Sequence, residues 1–116
     1  MIFIIDDDKM MAECIKKACQ KDDVKIFSNA ILAMEEISDG KIPDLIFLDI
    51  LLDGPDGFTF INELMSYSDT ANMPIVIVSS LDYSKADLSS YGVVGILNKD
   101  MMTPMEIKKY VDKYAI

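Results

Sequence analysis

The chain has no histidine and no tryptophan, and only 5 glycines, 4 prolines and 2 cysteines in 116 residues. Without histidine, imidazole acid–base catalysis and histidine metal ligation are excluded, and a phosphohistidine could only belong to a partner. The low glycine and proline content, beside 51% apolar residues, argues against a disordered or low-complexity chain. Cys14 and Cys19 stand five apart on a predicted helix, about 500° of rotation, so their side chains diverge. Free thiols are expected, not a disulfide framework or a zinc site. Basic residues are scarce: 11 Lys and Arg against 20 Asp and Glu give a net charge of −9. That balance excludes a phosphate-backbone footprint and so direct nucleic-acid binding. No apolar run is long enough to span a bilayer, and the start of the chain lacks a signal-peptide pattern, so a cytoplasmic protein without membrane contact is expected.

What the chain does have is a regular alternation of short apolar runs and amphipathic segments. Ile2–Ile5 reads as a strand apolar on both faces, as parallel sheets require, and Val24–Phe27, Leu45–Leu48, Ile75–Val78 and Val94–Leu97 read as four further strands. Lys9–Gln20 reads as a helix burying Met11, Ile15, Ala18 and Cys19. A second helix, Asn29 to about Ser38, is capped by Ser28, carries Ile31, Leu32, Met34 and Ile37, and stops at Gly40. Phe58–Met65 is a third. Asp82 caps a short polar helix ending near Tyr91-Gly92, and Thr103-Pro104-Met105-Glu106 is a capping box opening a last helix with Ile107, Tyr110, Val111 and Tyr114 on its apolar face. Residues 1–116 thus form one domain of five β-α units. With short connections and right-handed crossovers, the economical fold is a doubly wound α/β, flavodoxin-like parallel sheet in the order 2-1-3-4-5. A TIM barrel needs eight units.

In such a sheet ligands bind beyond the carboxyl ends of the strands, at the switch point between strands 1 and 3. The runs end there on Asp6-Asp7-Asp8, on Asp49, on Ser79-Ser80 and on Asn98-Lys99. Taken singly, each has an ordinary reading as a cap, a turn residue or a solvated lysine, and Asp8, Asp44 and Asp53 fit that reading. Taken together they compose a phosphoryl-transfer pocket: carboxylates to hold Mg²⁺ or attack phosphorus, a lysine and a hydroxyl to meet phosphoryl oxygens.

With Ile4-Ile5-Asp6-Asp7, Leu48-Asp49 followed by Asp56-Gly57, Pro74 through Ser79, and Lys99, the whole chain resembles the receiver domain of two-component response regulators, the stand-alone chemotaxis type included. The resemblance implies that Asp49 accepts a phosphoryl group from a sensor histidine kinase or a histidine phosphotransfer protein. It also implies that Asp7 and Asp49 bind Mg²⁺ with the backbone carbonyl of Leu51, that Asp6 acts mainly through water, and that Ser79 and Lys99 read the phosphoryl group. Signalling to a downstream protein or output domain would run through the fourth helix, fifth strand and fifth helix. Tyr83, Tyr91, Met101 and Met102 are candidates on that surface, with packing expected of the two methionines. Three positions depart from the family pattern: Asp53 and Asp100 stand where prolines are usual, and Ile96 replaces an aromatic residue. A trans bond is expected at Lys99-Asp100. Apolar Leu51 and Leu81 beside the phosphoryl group imply a long-lived aspartyl phosphate. The alternatives are a pseudo-receiver interaction module without phosphorylation and a haloacid-dehalogenase-like phosphatase, suggested by Asp6-x-Asp8 but lacking its remaining motifs. Beyond self-phosphorylation and slow autodephosphorylation no enzyme activity is expected.

Overall fold

The computed structural model describes residues 1–50, 57–80 and 91–115. Five parallel strands, β1 (Ile2–Ile5), β2 (Val24–Phe27), β3 (Leu45–Asp49), β4 (Ile75–Ser79) and β5 (Val93–Asn98), form one sheet in the order β2-β1-β3-β4-β5. The four described helices are α1 (Lys9–Cys19), α2 (Ala30–Ser38), α3 (Gly57–Met65) and α4 (Pro104–Tyr114). This is the predicted doubly wound order. The expected polar helix after Asp82, the turn at Asp53–Asp56, and Leu51, Leu81 and Tyr83 lie outside the described residues.

Successive side chains of a strand point to opposite faces, so each central strand feeds two cores. Phe3, Ile5, Ile46, Leu48, Ile75 and Ile77 pack on one face under α2 and α3, joined by Ala33, Ile37, Phe60 and Leu64. Ile2, Ile4, Leu45, Phe47, Val76 and Val78 pack on the other under α1 and α4, with Ile15, Cys19, Ile107 and Val111. β1, β3 and β4 are buried along their whole length, which is why they read as unbroken apolar runs.

Helix ends follow local chemistry. Asp8, expected as an ordinary turn residue, caps α1, its Oδ1 accepting from the Met11 amide at 3.1 Å. The cap of α2 is Asn29, not Ser28. β2 runs through Phe27, and extended Asn29 (φ −152°) is the residue whose Oδ1 reaches the Leu32 amide at 3.0 Å. Gly40, at φ 88°, closes α2: its amide donates to Ile37 O and that of Lys41 to Glu36 O, the Schellman pattern. Thr103 and Glu106 exchange both hydrogen bonds of the predicted capping box.

The buried stripes shift by one residue where helix–sheet contact demands it. In α1, Ala12 is buried where Met11 was expected and Met11 lies half-buried at the margin, because small Ala12 lets the helix sit closer to the sheet. In α2 the face on the sheet is Ala30, Ala33 and Ile37, leaving Ile31 and Leu32 exposed. The Lys99–Asp100 bond is trans, since no cis bond occurs among the described residues. Met102 packs against the α1/α4 core, but Met101 is exposed, contrary to the packing expected of it. No described helix is long and apolar enough to cross a membrane.

The two cysteines are free, Cys14 exposed and Cys19 buried. Burial pushes the Cys19 thiol up to about 11 from 9.0, with Lys108 opposing weakly. The unfolded chain therefore loses this proton first as pH rises. The stability that depends on it is complete below about pH 9 and is lost as pH climbs toward 11. Denaturant unfolding at intervals across that window should show a steeper decline for the native chain than for Cys19→Ala. Parallel declines would refute the assignment.

Candidate functional site

The register of the sheet assembles the site. Ile5 pairs with Leu48 across β1 and β3, so Asp6 and Asp49 leave adjacent strands side by side. Asp49 pairs with Val78 in β4, and Ser79 pairs with Asn98 in β5, with the Lys99 amide donating to Ser79 O at 3.0 Å. Because β2 and β3 flank β1 on opposite sides, the chain diverges after β1 and β3 and leaves a crevice there. Residues distant in sequence by 43, 73 and 93 positions from Asp6 or its neighbours meet because four strand ends share one edge.

The Asp6-Asp7-Asp8 run divides its labour. Asp6 is 2% exposed and accepts the Asp8 amide on Oδ1 at 2.9 Å, while Asp7 is exposed and Asp8 caps α1. Asp49, at 4% exposure, is buried. One carboxylate oxygen from each of Asp6, Asp7 and Asp49 lies within 4.8 Å of the others. At about 5 Å and an effective dielectric of 20, each such pair repels by roughly 3 kcal/mol. The Lys99 ammonium offsets this. Its Nζ is 3.1 Å from Asp49 Oδ2, 3.1 Å from Asp6 Oδ2 and 3.3 Å from Asp6 Oδ1.

Protonation follows these contacts. Burial raises the Asp6 pKa, and the charge of Asp49 adds to the rise, while the Asp8 amide and Lys99 oppose it. Burial works against the Lys99 charge, but hydrogen bonds to Asp49 and Asp6 outweigh it and hold the ammonium above the usual lysine range. Lys99 is therefore a permanent cation near neutral pH.

One cation among three carboxylates leaves the cluster at a formal −2, the charge a divalent ion would offset. Asp6 Oδ2 is buried and lies 3.1 Å from the ammonium without accepting a hydrogen bond. A buried oxygen of that kind, next to an exposed Asp7 and a buried Asp49, is the all-oxygen donor set that suits Mg²⁺. The residues fit the ion. The Leu51 carbonyl expected in the set lies outside the described residues.

Ser79, 1% exposed, ends β4 beside Asp49, so the five predicted side-chain contributors, Asp6, Asp7, Asp49, Ser79 and Lys99, converge on one sheet edge. Two supporting residues carry roles that the sequence reading did not give them. A Cβ on Gly57 would sit 2.8 Å from Ile50 Cα and 3.0 Å from Asp49 O, and its amide donates to Ile50 O. Glycine thus lets α3 start against the end of β3, and the Asp56-Gly57 pair was the visible signal. Asn98 turns the chain after Lys99: its Oδ1 accepts from Asp100 N at 2.8 Å and its carbonyl from Met101 and Met102. Where the family usually has proline, an asparagine side chain makes the turn instead.

A doubly wound sheet with an acidic crevice at its switch point and a lysine reaching in from the end of β5 is the arrangement of a flavodoxin-like α/β domain with a candidate cation site. Residues 2–112 match the family model of the response regulator receiver domain. The chain is 30% identical over 83 residues to the sensor histidine kinase CheAY of Helicobacter pylori, covering 69% of this chain and 10% of that protein. It is 30% identical over 106 residues to a protein-glutamate methylesterase/protein-glutamine glutaminase of Leptospira interrogans, covering 84% and 29%. The chain thus spans under a third of these curated relatives. Among solved structures, a putative response regulator from Chloroflexus aurantiacus superimposes with a TM-score of 0.80 at 25% identity, over 97% of this chain and 93% of that one. The chain belongs to the response regulator receiver domain family.

The central pairing has a testable cost. Replacing Lys99 with Met leaves two buried carboxylates facing each other without a counter-charge, and should destabilise the chain by about 2–3 kcal/mol in buffer free of divalent ions. Adding Asp6→Asn to Lys99→Met should recover much of the loss, as one of the opposed charges is then gone. Urea unfolding measures both, and a Lys99→Met chain as stable as the native one would refute this account.

Proposed function

We propose that the chain is a phosphorylation-controlled switch in a two-component relay, with Asp49 as the phosphoryl acceptor. The observation that carries this reading is the Asp49 carboxylate at the switch point, within 4.8 Å of Asp6 and Asp7 and bridged to Asp6 by Lys99. An Asp49 oxygen attacks phosphorus on a partner's phosphohistidine. The new O–P bond replaces the P–N bond, and the imidazole leaves with the electron pair and takes up a proton. The donor histidine must be the partner's, since this chain has none.

The remaining residues have distinct tasks. Asp6, Asp7 and Asp49, with the Leu51 carbonyl, would hold Mg²⁺, which when bound neutralises charge on phosphoryl oxygens. Lys99 turns from its carboxylate partners toward a phosphoryl oxygen, and as a compact ammonium on a flexible stem it suits that exchange. The Ser79 hydroxyl donates to another phosphoryl oxygen. Because the Lys99 amide is bonded to Ser79 O, a shift of Ser79 pulls on the end of β5 and so on the surface made by β5 and the last helices. Ile96, half-buried beside the α2/α3 core, stands in place of the aromatic residue the family usually has, so the change travels through backbone pairing in preference to an aromatic rotation. The donor is a sensor histidine kinase or phosphotransfer protein, the receiver of the signal is a downstream protein or output domain, and the setting is the cytoplasm.

Incubation with Mg²⁺ and acetyl phosphate, followed by intact-mass measurement, should add one phosphoryl group to the native chain. Asp49→Asn or a chelator should abolish it. An unmodified native chain would favour a pseudo-receiver module, and an Asp49→Asn chain modified to the same extent would overturn the assignment of the acceptor.

A further inference from the structure

We propose that the cleft between α2 and α3, away from the acidic pocket, is a docking groove for a basic amphipathic helix of a partner protein. Two adjoining cavities of about 520 and 330 Å³ run along it, sharing Met34 and Ser38. The floor is apolar, with Phe60 and Ala30 almost fully buried and Met34 half-buried above them. Met34 is flexible and polarisable, and adapts to an incoming side chain.

The outer face of α2 is apolar where a solvated helix would be polar. Ile31 is 54% exposed and Leu32 43%, in a helix that already buries Ala30, Ala33 and Ile37 on the sheet. Ile42 and Tyr67 extend the apolar exposure past the end of the groove. A surface helix with apolar residues on more than its core face marks an interaction site.

Charge selects the occupant. Glu35, Asp39 and Glu63 rim the first cavity and Asp69 the second, with no lysine lining either among the described residues. None of these four carboxylates is in an ion pair among the described residues, whereas Lys25 and Lys41, which flank α2 in sequence, are both held by Glu36 at 3.2 and 3.3 Å. The rim thus offers unpaired negative charge around an apolar floor. A second copy of this chain would bring the same carboxylates and a charge of −9 against it, so a partner helix with apolar residues at i, i+3/i+4 and i+7 and Lys or Arg beside them is the matching chemistry. The nine residues of α2 span about 13 Å, so a little over two turns of that helix are engaged. The inference does not depend on phosphorylation of Asp49.

The test uses the isotope-labelled chain and two synthetic peptides of about 15 residues with identical leucine positions, one with Lys and one with Glu at the polar positions. The Leu/Lys peptide should bind in titration calorimetry and shift amides of Ile31–Asp39 and Thr59–Glu63, while the Leu/Glu peptide should not bind. Glu35→Lys with Glu63→Lys should weaken binding roughly tenfold or more, and the charge-matched Glu13→Lys with Asp22→Lys should change it by no more than about twofold. Should the charge variant lose its circular-dichroism spectrum, Ile31→Ser, at an exposed site, should weaken binding on a folded chain. Equal loss in both charge variants, shifts centred on Asp6, Asp7 and Asp49, or a dimer of the free chain dissociated by Ile31→Ser would each overturn the proposal.

Discussion

The ammonium of Lys99 stands between the carboxylates of Asp6 and Asp49, which the sheet holds almost wholly out of water. Such an arrangement persists only because strand pairing positions all three groups and the cation offsets their repulsion. Much else in the molecule follows from holding those strand ends level. The two cores clamp the sheet from both faces, the Asp8 amide fixes Asp6, Gly57 admits α3 against β3, and Asn98 turns the chain so that Lys99 points back into the crevice.

The same arrangement is the basis of the proposed switch. The groups that balance one another here are the ones that, in that proposal, would bind a phosphoryl group, so charge added at Asp49 would redistribute the partners of Lys99. Ser79 and Lys99 are joined through a backbone hydrogen bond, and each ends or follows a strand. In the proposed function, this bond is the route by which a change at the pocket would reach β5 along the sheet edge. The α2/α3 cleft, with its apolar floor and acidic rim, is the separate surface proposed for partner contact.

Much of this was legible before the fold was known. Strands buried on both faces are continuous apolar runs, and Thr103-Pro104-Met105-Glu106 announces a helix start, so the order of elements and the capping box were readable from local pattern. The family resemblance then gave roles to Asp49, Asp6, Asp7, Ser79 and Lys99, and geometry brings those side chains together. Less legible were features set by contact. Ser28 and Asn29 are both good caps, and the length of β2 chose between them. Met11 and Ala12 both fit an apolar stripe, and proximity to the sheet favoured the smaller side chain. Ile31 and Leu32 look like core residues in sequence but face outward, because the alanines of α2 take the sheet side. Met101, likewise expected to pack, is exposed.

By itself the sequence determined the alternation of strands and helices, the doubly wound class and the identity of the polar residue at each strand end. These are local properties, fixed by hydrophobic period, capping chemistry and the crossover rule. Only the tertiary structure decided how those ends interact: that Lys99 bridges Asp6 and Asp49, that Asp8 serves α1 and not the pocket, that Asn98 replaces a proline turn, and that α2 turns apolar side chains to solvent. Distances between residues some 50 and 93 positions apart depend on strand register and on packing across two cores, which no local pattern encodes.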